Sequence, residues 1–187
     1  METAIETSKS ILLDGKTFEE IISTNSINNR IDEIALDISN YYKNKKPVIV
    51  GVLNGAFIFM ADLIRKLNIQ YEVDFIKISS YNNDLKSSGN IKLDKDLNIN
   101  LKNRHVIVIE DIVDTGLSIE YLYDKINESA PASIKFASLL YKNTNLNNKI
   151  KVDWIGFNID DRYVIGYGLD FKQYYRGLDS IYAAKER

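Results

Sequence analysis

The chain has 187 residues, 45% of them hydrophobic, enough to fill one core and too many for a chain that is disordered throughout. Its 24 basic residues against 26 acidic ones leave a net charge of −2, so no overall field draws in nucleic acid or an anionic membrane, and any anion site must be local. The absence of cysteine excludes disulfides and thiolate chemistry and is compatible with a reducing cytosol. Met1 leads into Glu2, Glu6 and polar residues, so no signal peptide is expected. The longest uncharged stretch, Pro47 to Ala61, falls short of the roughly 20 residues a membrane helix needs and carries Asn54 and two glycines. A soluble, cytoplasmic protein is the expectation.

Ile27, Ile31, Ile34, Ile38 and Tyr41 recur at helical spacing, which predicts an amphipathic helix with Ser26 as its cap. Pro47 introduces Val48 to Val52, a short buried strand, followed by a turn and a helix over about 56–67. Residues 71–79 read as a strand, 105–109 as another, 118–128 as a helix and 133–141 as the next strand. Strands alternating with helices imply an α/β fold with a parallel, twisted sheet flanked by helices. Residues 81–101, rich in Asn, Ser, Lys and Asp, read as a loop with short strand pieces. Trp154, among Val152, Ile155 and Phe157, reads as core, and His105, the only histidine, as a structural residue at a strand entry.

The most informative stretch is residues 106–118. Val106 to Ile109 form a β-branched run of the kind buried in a parallel sheet, so Glu110 and Asp111 should emerge at its carboxyl end, where α/β sheets bind ligands. Beyond them, Asp114, Thr115, Gly116, Leu117 and Ser118 combine a permissive glycine with hydroxyls at a helix start, where unpaired N–H groups attract an anion. Ribose hydroxyls and Mg²⁺ both seek carboxylate oxygens. A 5-phosphoribosyl group suits the whole segment, its phosphate in the turn and its 2′ and 3′ hydroxyls on Glu110 and Asp111. Acidic capping of the helix is the competing reading, for Asp114 in particular. No zinc-ligand spacing, dinucleotide fingerprint or Walker sequence is present.

This segment resembles the phosphoribosyltransferase signature, and four further motifs narrow the resemblance to the hypoxanthine-guanine phosphoribosyltransferases. They are Val-Gly-Val-Leu-Asn-Gly-Ala-Phe from Val50, Ser-Ser-Tyr from Ser79, Ser-Leu-Leu-Tyr-Lys from Ser138, and Val-Ile-Gly-Tyr-Gly-Leu-Asp from Val164 followed by Tyr-Tyr-Arg. The resemblance runs from about Thr17 to Ile181. It implies a single type I phosphoribosyltransferase domain. A small hood would come from the N-terminal segment and from about 150–187, and a flexible lid over about 81–101 would begin at Ser80 and Tyr81. A lid suits a reactive, cation-like sugar that must be kept from water.

The same resemblance assigns roles. Leu53, Asn54 and Gly55 would bind pyrophosphate, with a non-proline cis peptide between Leu53 and Asn54. Many relatives carry lysine or arginine at position 54, so the site should lean more on backbone N–H groups, Mg²⁺ and Arg176, a forked cation suited to phosphate. Asp114 would take the purine N7 proton as N9 attacks the ribose. Lys142 would donate to a 6-oxo group, favouring hypoxanthine, guanine or xanthine over adenine. Tyr163 would stack on the base, Val164 would meet its edge through backbone atoms, and Asp170 would stand there as a metal-associated acid acting through water. With Glu110 and Asp111 it would complete the acids around Mg²⁺. The implied activity is purine salvage: phosphoribosyl diphosphate and a 6-oxopurine give IMP or GMP and pyrophosphate. The implied assembly is a homodimer or homotetramer. Two competing readings are a regulator that binds phosphoribosyl diphosphate without turning it over, and a transferase acting on adenine or a pyrimidine.

Overall fold

The computed structural model describes residues 10–80, 91–142 and 150–185. Tyr81 and the side chain of Ser80 lie outside what it describes. The elements in chain order are β1 (Ser10–Leu13), β2 (Lys16–Ile22), α1 (Thr24–Tyr41), β3 (Val48–Leu53), α2 (Phe57–Lys66), β4 (Glu72–Ser80), β5 (Ile91–Lys95), β6 (His105–Val113), α3 (Leu117–Asn127), β7 (Ser133–Lys142), β8 (Trp154–Ile159), β9 (Val164–Ile165) and β10 (Ile181–Ala184). They form a six-stranded sheet in the order β5-β4-β3-β6-β7-β8 and a four-stranded sheet in the order β1-β2-β10-β9.

The large sheet is parallel except for β5, which pairs antiparallel with β4. Its central strands are apolar on both faces because helices cover both. Ile49, Ile107 and Ile109 face α1 and α2, packing with Ile31, Ile34, Phe59 and Leu63. Val48, Val50, Val106 and Val108 face the other way, toward Ile119, Leu122 and Ile126 of α3. The chain leaves β3 for one neighbour, β4, and later returns on its other side as β6, so the strand order reverses between β3 and β6. Such a reversal opens a crevice outside the carboxyl ends of the two strands. Pairing between them stops at Gly51–Ile109, leaving Leu53 and residues 110–113 to border the opening.

Several local expectations are corrected. The cap of α1 is Ser23, not Ser26. Ser23 is extended and its side chain accepts from the Ser26 N–H at 3.3 Å, whereas Ser26 already lies in the first turn. The buried stripe ends at Tyr42 rather than Tyr41, one turn beyond Ile38, and Tyr41 is half exposed. The strand of residues 105–109 continues to Val113, because Ile112 and Val113 still pair with Leu140 and Tyr141 of β7. Within the stretch read as loop with short strand pieces, residues 91–95 do form one such piece, an edge strand. Trp154 is only partly buried, its ring edge-on to Tyr41 at the margin of the core. His105 does open β6, bonded to Ser133 Oγ at 2.8 Å.

The small sheet joins both parts of the sequence. Asp14 and Gly15, both at positive φ, make a tight turn between β1 and β2. β10 lies between β2 and β9, and Phe18, Ile165 and Tyr182 form its core. Residues 154–159 belong to the large sheet as β8, so the small sheet draws on 10–22 and 164–184. No helix among the described residues is long and apolar enough to cross a membrane.

Candidate active site

At the strand-order reversal lies a cleft of about 780 Å³ lined by the ends of β3, β4 and β6, the start of α3 and the loop between β9 and β10. It brings together Leu53, Asn54, Gly55, Glu110, Asp111, Asp114, Thr115, Gly116, Ser118, Asp170 and Arg176. The peptide bond between Leu53 and Asn54 is cis. Leu117 is exposed at the first position of α3 and is not in the lining, nor are Lys142, Tyr163 and Val164.

Glu110 and Asp111 meet at the floor. Glu110 is buried, and its Oε1 accepts from the Asp111 N–H at 3.1 Å. Burial, and then the charge of Asp111, hold the Glu110 carboxyl well above the ordinary carboxylate range. Asp111 accepts the Ile112 N–H at 2.8 Å through Oδ1. Its other oxygen lies directly over Gly55, where a Cβ would overlap Oδ2 and stand 2.5 Å from Cγ. Gly168, at φ +103°, likewise comes so close to the Gly55 carbonyl that a side chain would collide with it. The β3 turn, the acid pair and the loop after β9 therefore interlock.

Asp114, Thr115 and Gly116 form the turn into α3. The cap position is Gly116, in the left-handed region at φ +83°, and no side chain caps the helix. Asp114 is thus not a helix cap. Its Oδ2 instead accepts from Lys142 Nζ at 3.1 Å, and Lys142 also reaches Asp161 Oδ1 at 2.9 Å. Lys142 sits buried at the end of β7, its position fixed by the register that sets Lys142 beside Ile159 of β8. Burial lowers its pKa, but the Asp161 and Asp114 carboxylates outweigh that and hold it above the ordinary lysine value, so it is a full cation.

On the opposite wall, the loop 166–178 is laced by backbone bonds, among them Gly168 N–H to Arg176 O at 2.9 Å. Arg176 donates to Gly168 O at 2.8 Å and Gln173 Oε1 at 3.1 Å and pairs with Asp170 at 2.7 Å. Tyr163 is half exposed, edge-on to Phe171, with its hydroxyl donating to Asp170 O at 2.7 Å. Val164 is buried in β9.

Other residues join the site that the sequence pattern does not single out. Asp161 and Gln173 are ordinary loop residues until the fold sets them against Lys142 and Arg176. Lys77 and Asp94 line the cleft from β4 and β5, beside Ser79 of the Ser-Ser-Tyr motif. For Lys77 the usable signal is position, since it stands at the carboxyl end of a parallel strand.

The carboxylate pair and Asp170 are hard oxygen donors, too few for an all-protein cage. Among the described residues no three His, Cys, Asp or Glu side chains cluster as a metal site. One or two carboxylates beside an open cleft fit Mg²⁺, which is commonly held in part by substrate oxygens and water.

A parallel sheet with an acid pair and a helix-opening turn at its strand-order reversal, and a buried lysine at the end of the next strand, defines an α/β protein with its ligand site at the carboxyl ends of the strands. The family described as "Phosphoribosyl transferase domain" matches residues 19–172. Hypoxanthine phosphoribosyltransferase of Haemophilus influenzae is 38% identical over 164 residues, covering 86% of this chain and 92% of that one. Hypoxanthine-guanine phosphoribosyltransferase of Bacillus subtilis is 39% identical over 161 residues, 86% and 89% of the two chains. A crystal structure of a hypoxanthine-guanine phosphoribosyltransferase from Bacillus anthracis superposes with a TM-score of 0.84 at 36% identity, covering 89% of this chain and 98% of that one. The chain belongs to the phosphoribosyltransferase family, within its hypoxanthine-guanine branch.

Proposed function

We propose that the protein transfers the 5-phosphoribosyl group of phosphoribosyl diphosphate to N9 of hypoxanthine or guanine, giving IMP or GMP and pyrophosphate. The observation that carries this reading is the Asp114–Lys142–Asp161 chain, which ends a buried ammonium beside the phosphate-sized turn. A regulator needs no such buried donor, and an adenine site would set the donor against an amino group.

In this reading the turn 114–118 holds the ribose phosphate with the N–H groups at the start of α3. Glu110 and Asp111 hold the ribose hydroxyls. Leu53, Asn54, Gly55 and Arg176 hold the diphosphate, and Ser80 and Tyr81 begin the lid. Tyr163 stacks on the base, Val164 meets its edge, and Lys142 donates to the 6-oxo group. As N9 bonds to C1 of the ribose and the C1–oxygen bond to diphosphate breaks, the N7 proton passes to Asp114. Asp161 keeps Lys142 paired while Asp114 turns to that proton. Glu110 and Asp111, with Asp170, would be the residues to hold Mg²⁺, which when bound would supply charge neutralisation for diphosphate oxygens.

A cytoplasmic homodimer or homotetramer is the form we infer. It is supported by the family membership and by a composition without cysteine. The near-neutral charge supports small-molecule substrates rather than nucleic acid. The test is incubation with phosphoribosyl diphosphate and each of hypoxanthine, guanine, xanthine, adenine and uracil, with Mg²⁺ present or chelated, followed by product detection. IMP and GMP should form only with Mg²⁺. No product from any 6-oxopurine would overturn the reading.

A further inference from the structure

The cleft is short of free positive charge. Its described lining carries five acids, Asp94, Glu110, Asp111, Asp114 and Asp170, against two cations, Lys77 and Arg176. Arg176 is already engaged with Asp170, the Gly168 carbonyl and Gln173. The turn that follows β3 offers only the neutral side chain of Asn54 at its centre.

Lys77 differs from Arg176 in that its ammonium makes no hydrogen bond or ion pair among the described residues. Asp94, across the β4–β5 pair, is itself bonded to Lys92, at 2.8 Å, and to Ser79. Lys77 is the register partner of Leu53 across the parallel β3–β4 pair. Register partners in neighbouring strands carry their side chains on the same face, about 5 Å apart. The fold therefore sets a half-buried lysine next to the turn residue preceding Asn54, at the carboxyl ends of both strands, where ligands of such sheets bind.

We propose that Lys77 is a diphosphate-binding residue and supplies from β4 the cation that this chain lacks at position 54. The inference rests on the transfer reaction proposed above. A lysine acts on phosphate as a point charge on a flexible stem, so it serves from a neighbouring strand as well as from the turn itself. Asp94 offsets its charge while the cleft holds no anion and remains with Lys92 when Lys77 swings to the diphosphate.

The test uses the full chain and the variants Lys77→Gln, Lys77→Arg, Asn54→Lys and the double variant Asn54→Lys with Lys77→Gln. KM is measured separately for phosphoribosyl diphosphate and for hypoxanthine, and the Kd of pyrophosphate with Mg²⁺ by calorimetry. Loss of one charge-assisted contact should raise the first KM and the pyrophosphate Kd about ten-fold in Lys77→Gln, with the hypoxanthine KM within about two-fold of wild type. Lys77→Arg should keep wild-type values, and Asn54→Lys should restore the Lys77→Gln protein to within about three-fold. An unchanged pyrophosphate Kd in Lys77→Gln, or no restoration in the double variant, overturns the proposal. Calorimetry reads Lys77 without turnover. Pyrophosphate binding that depends on Lys77 in a protein forming no nucleotide would therefore leave the inference standing and remove the reaction.

Discussion

Substitution of Gly55 by alanine isolates the position of one carboxylate. The new Cβ would overlap Asp111 Oδ2 and stand 2.5 Å from Cγ, where carbon atoms settle only at about 3.5–4.0 Å, so the carboxyl carbon must retreat by about 1 Å or more. Asp111 is partly exposed and free to swing away, and the φ of Gly55 is not positive, so alanine is tolerated by the backbone. The change then gains about 0.4–1 kcal/mol from a less flexible unfolded chain. It loses the Ile112 N–H to Asp111 bond, worth about 1 kcal/mol. The two nearly cancel, and Tm should stay within about 4 °C of wild type. Catalysis should not be spared, because a displacement of about 1 Å in a positioning group costs on the order of 100-fold. Initial rates against phosphoribosyl diphosphate at saturating hypoxanthine should show kcat/KM lowered by about that factor. A Gly55→Ala protein with wild-type kinetics and Tm would refute the claim that Asp111 must occupy the space above residue 55.

Three further outcomes follow from the geometry. Asp114→Asn should lower kcat by about 100-fold or more while leaving Tm within about 4 °C, because Gly116 and not Asp114 occupies the cap of α3; stopped assays and calorimetry read the two. Asp161→Asn should raise the hypoxanthine KM about five-fold and spare the KM for phosphoribosyl diphosphate, with recovery in Asp161→Glu, since Asp161 holds only Lys142. Asp74→Asn should cost about 2 kcal/mol at pH 7 in urea unfolding. Burial raises the Asp74 pKa, but N–H donors from Phe75, Asn98 and Ile99 and the charge of Lys95 more than reverse this, leaving it below the ordinary value. A lowered folded-state pKa stabilises above the unfolded value of about 3.9 and is lost as pH falls through the folded one, so wild type and variant should converge below about pH 4.

The sequence is most readable where one residue type has one physical use. Val48–Val52 and Val106–Ile109 can only be strands covered on both faces, and the acids and glycine of 110–116 follow directly at the sheet's binding edge. Less readable are features made by distant partners. β10 is four residues long and pairs with β2 from the far side of the chain. β5 alternates partly buried and exposed residues at a sheet edge, where Lys92, Asp94 and Lys95 mask the strand signal of Ile91 and Leu93. Ser23 and Ser26 offer equally good caps by composition, and only the backbone angle of Ser23 separates them. Asp161 and Lys77 carry no motif of their own. Their meaning comes from the strand ends they are brought against.

The strand order β1-β2-β10-β9 has a consequence for how the molecule is assembled. As the chain emerges during synthesis, residues 10–22 can form only a two-stranded hairpin, which is marginal in water by itself. Strands β3, β6, β7 and β8 can already lie side by side while that hairpin waits for residues 181–184 to insert beside it. Arg176 and the loop that grips Gly55 precede those residues directly. The cleft's second wall is therefore anchored after its first, and a nascent chain halted before β10 would carry loop 166–178 without the strand that ties it to β2.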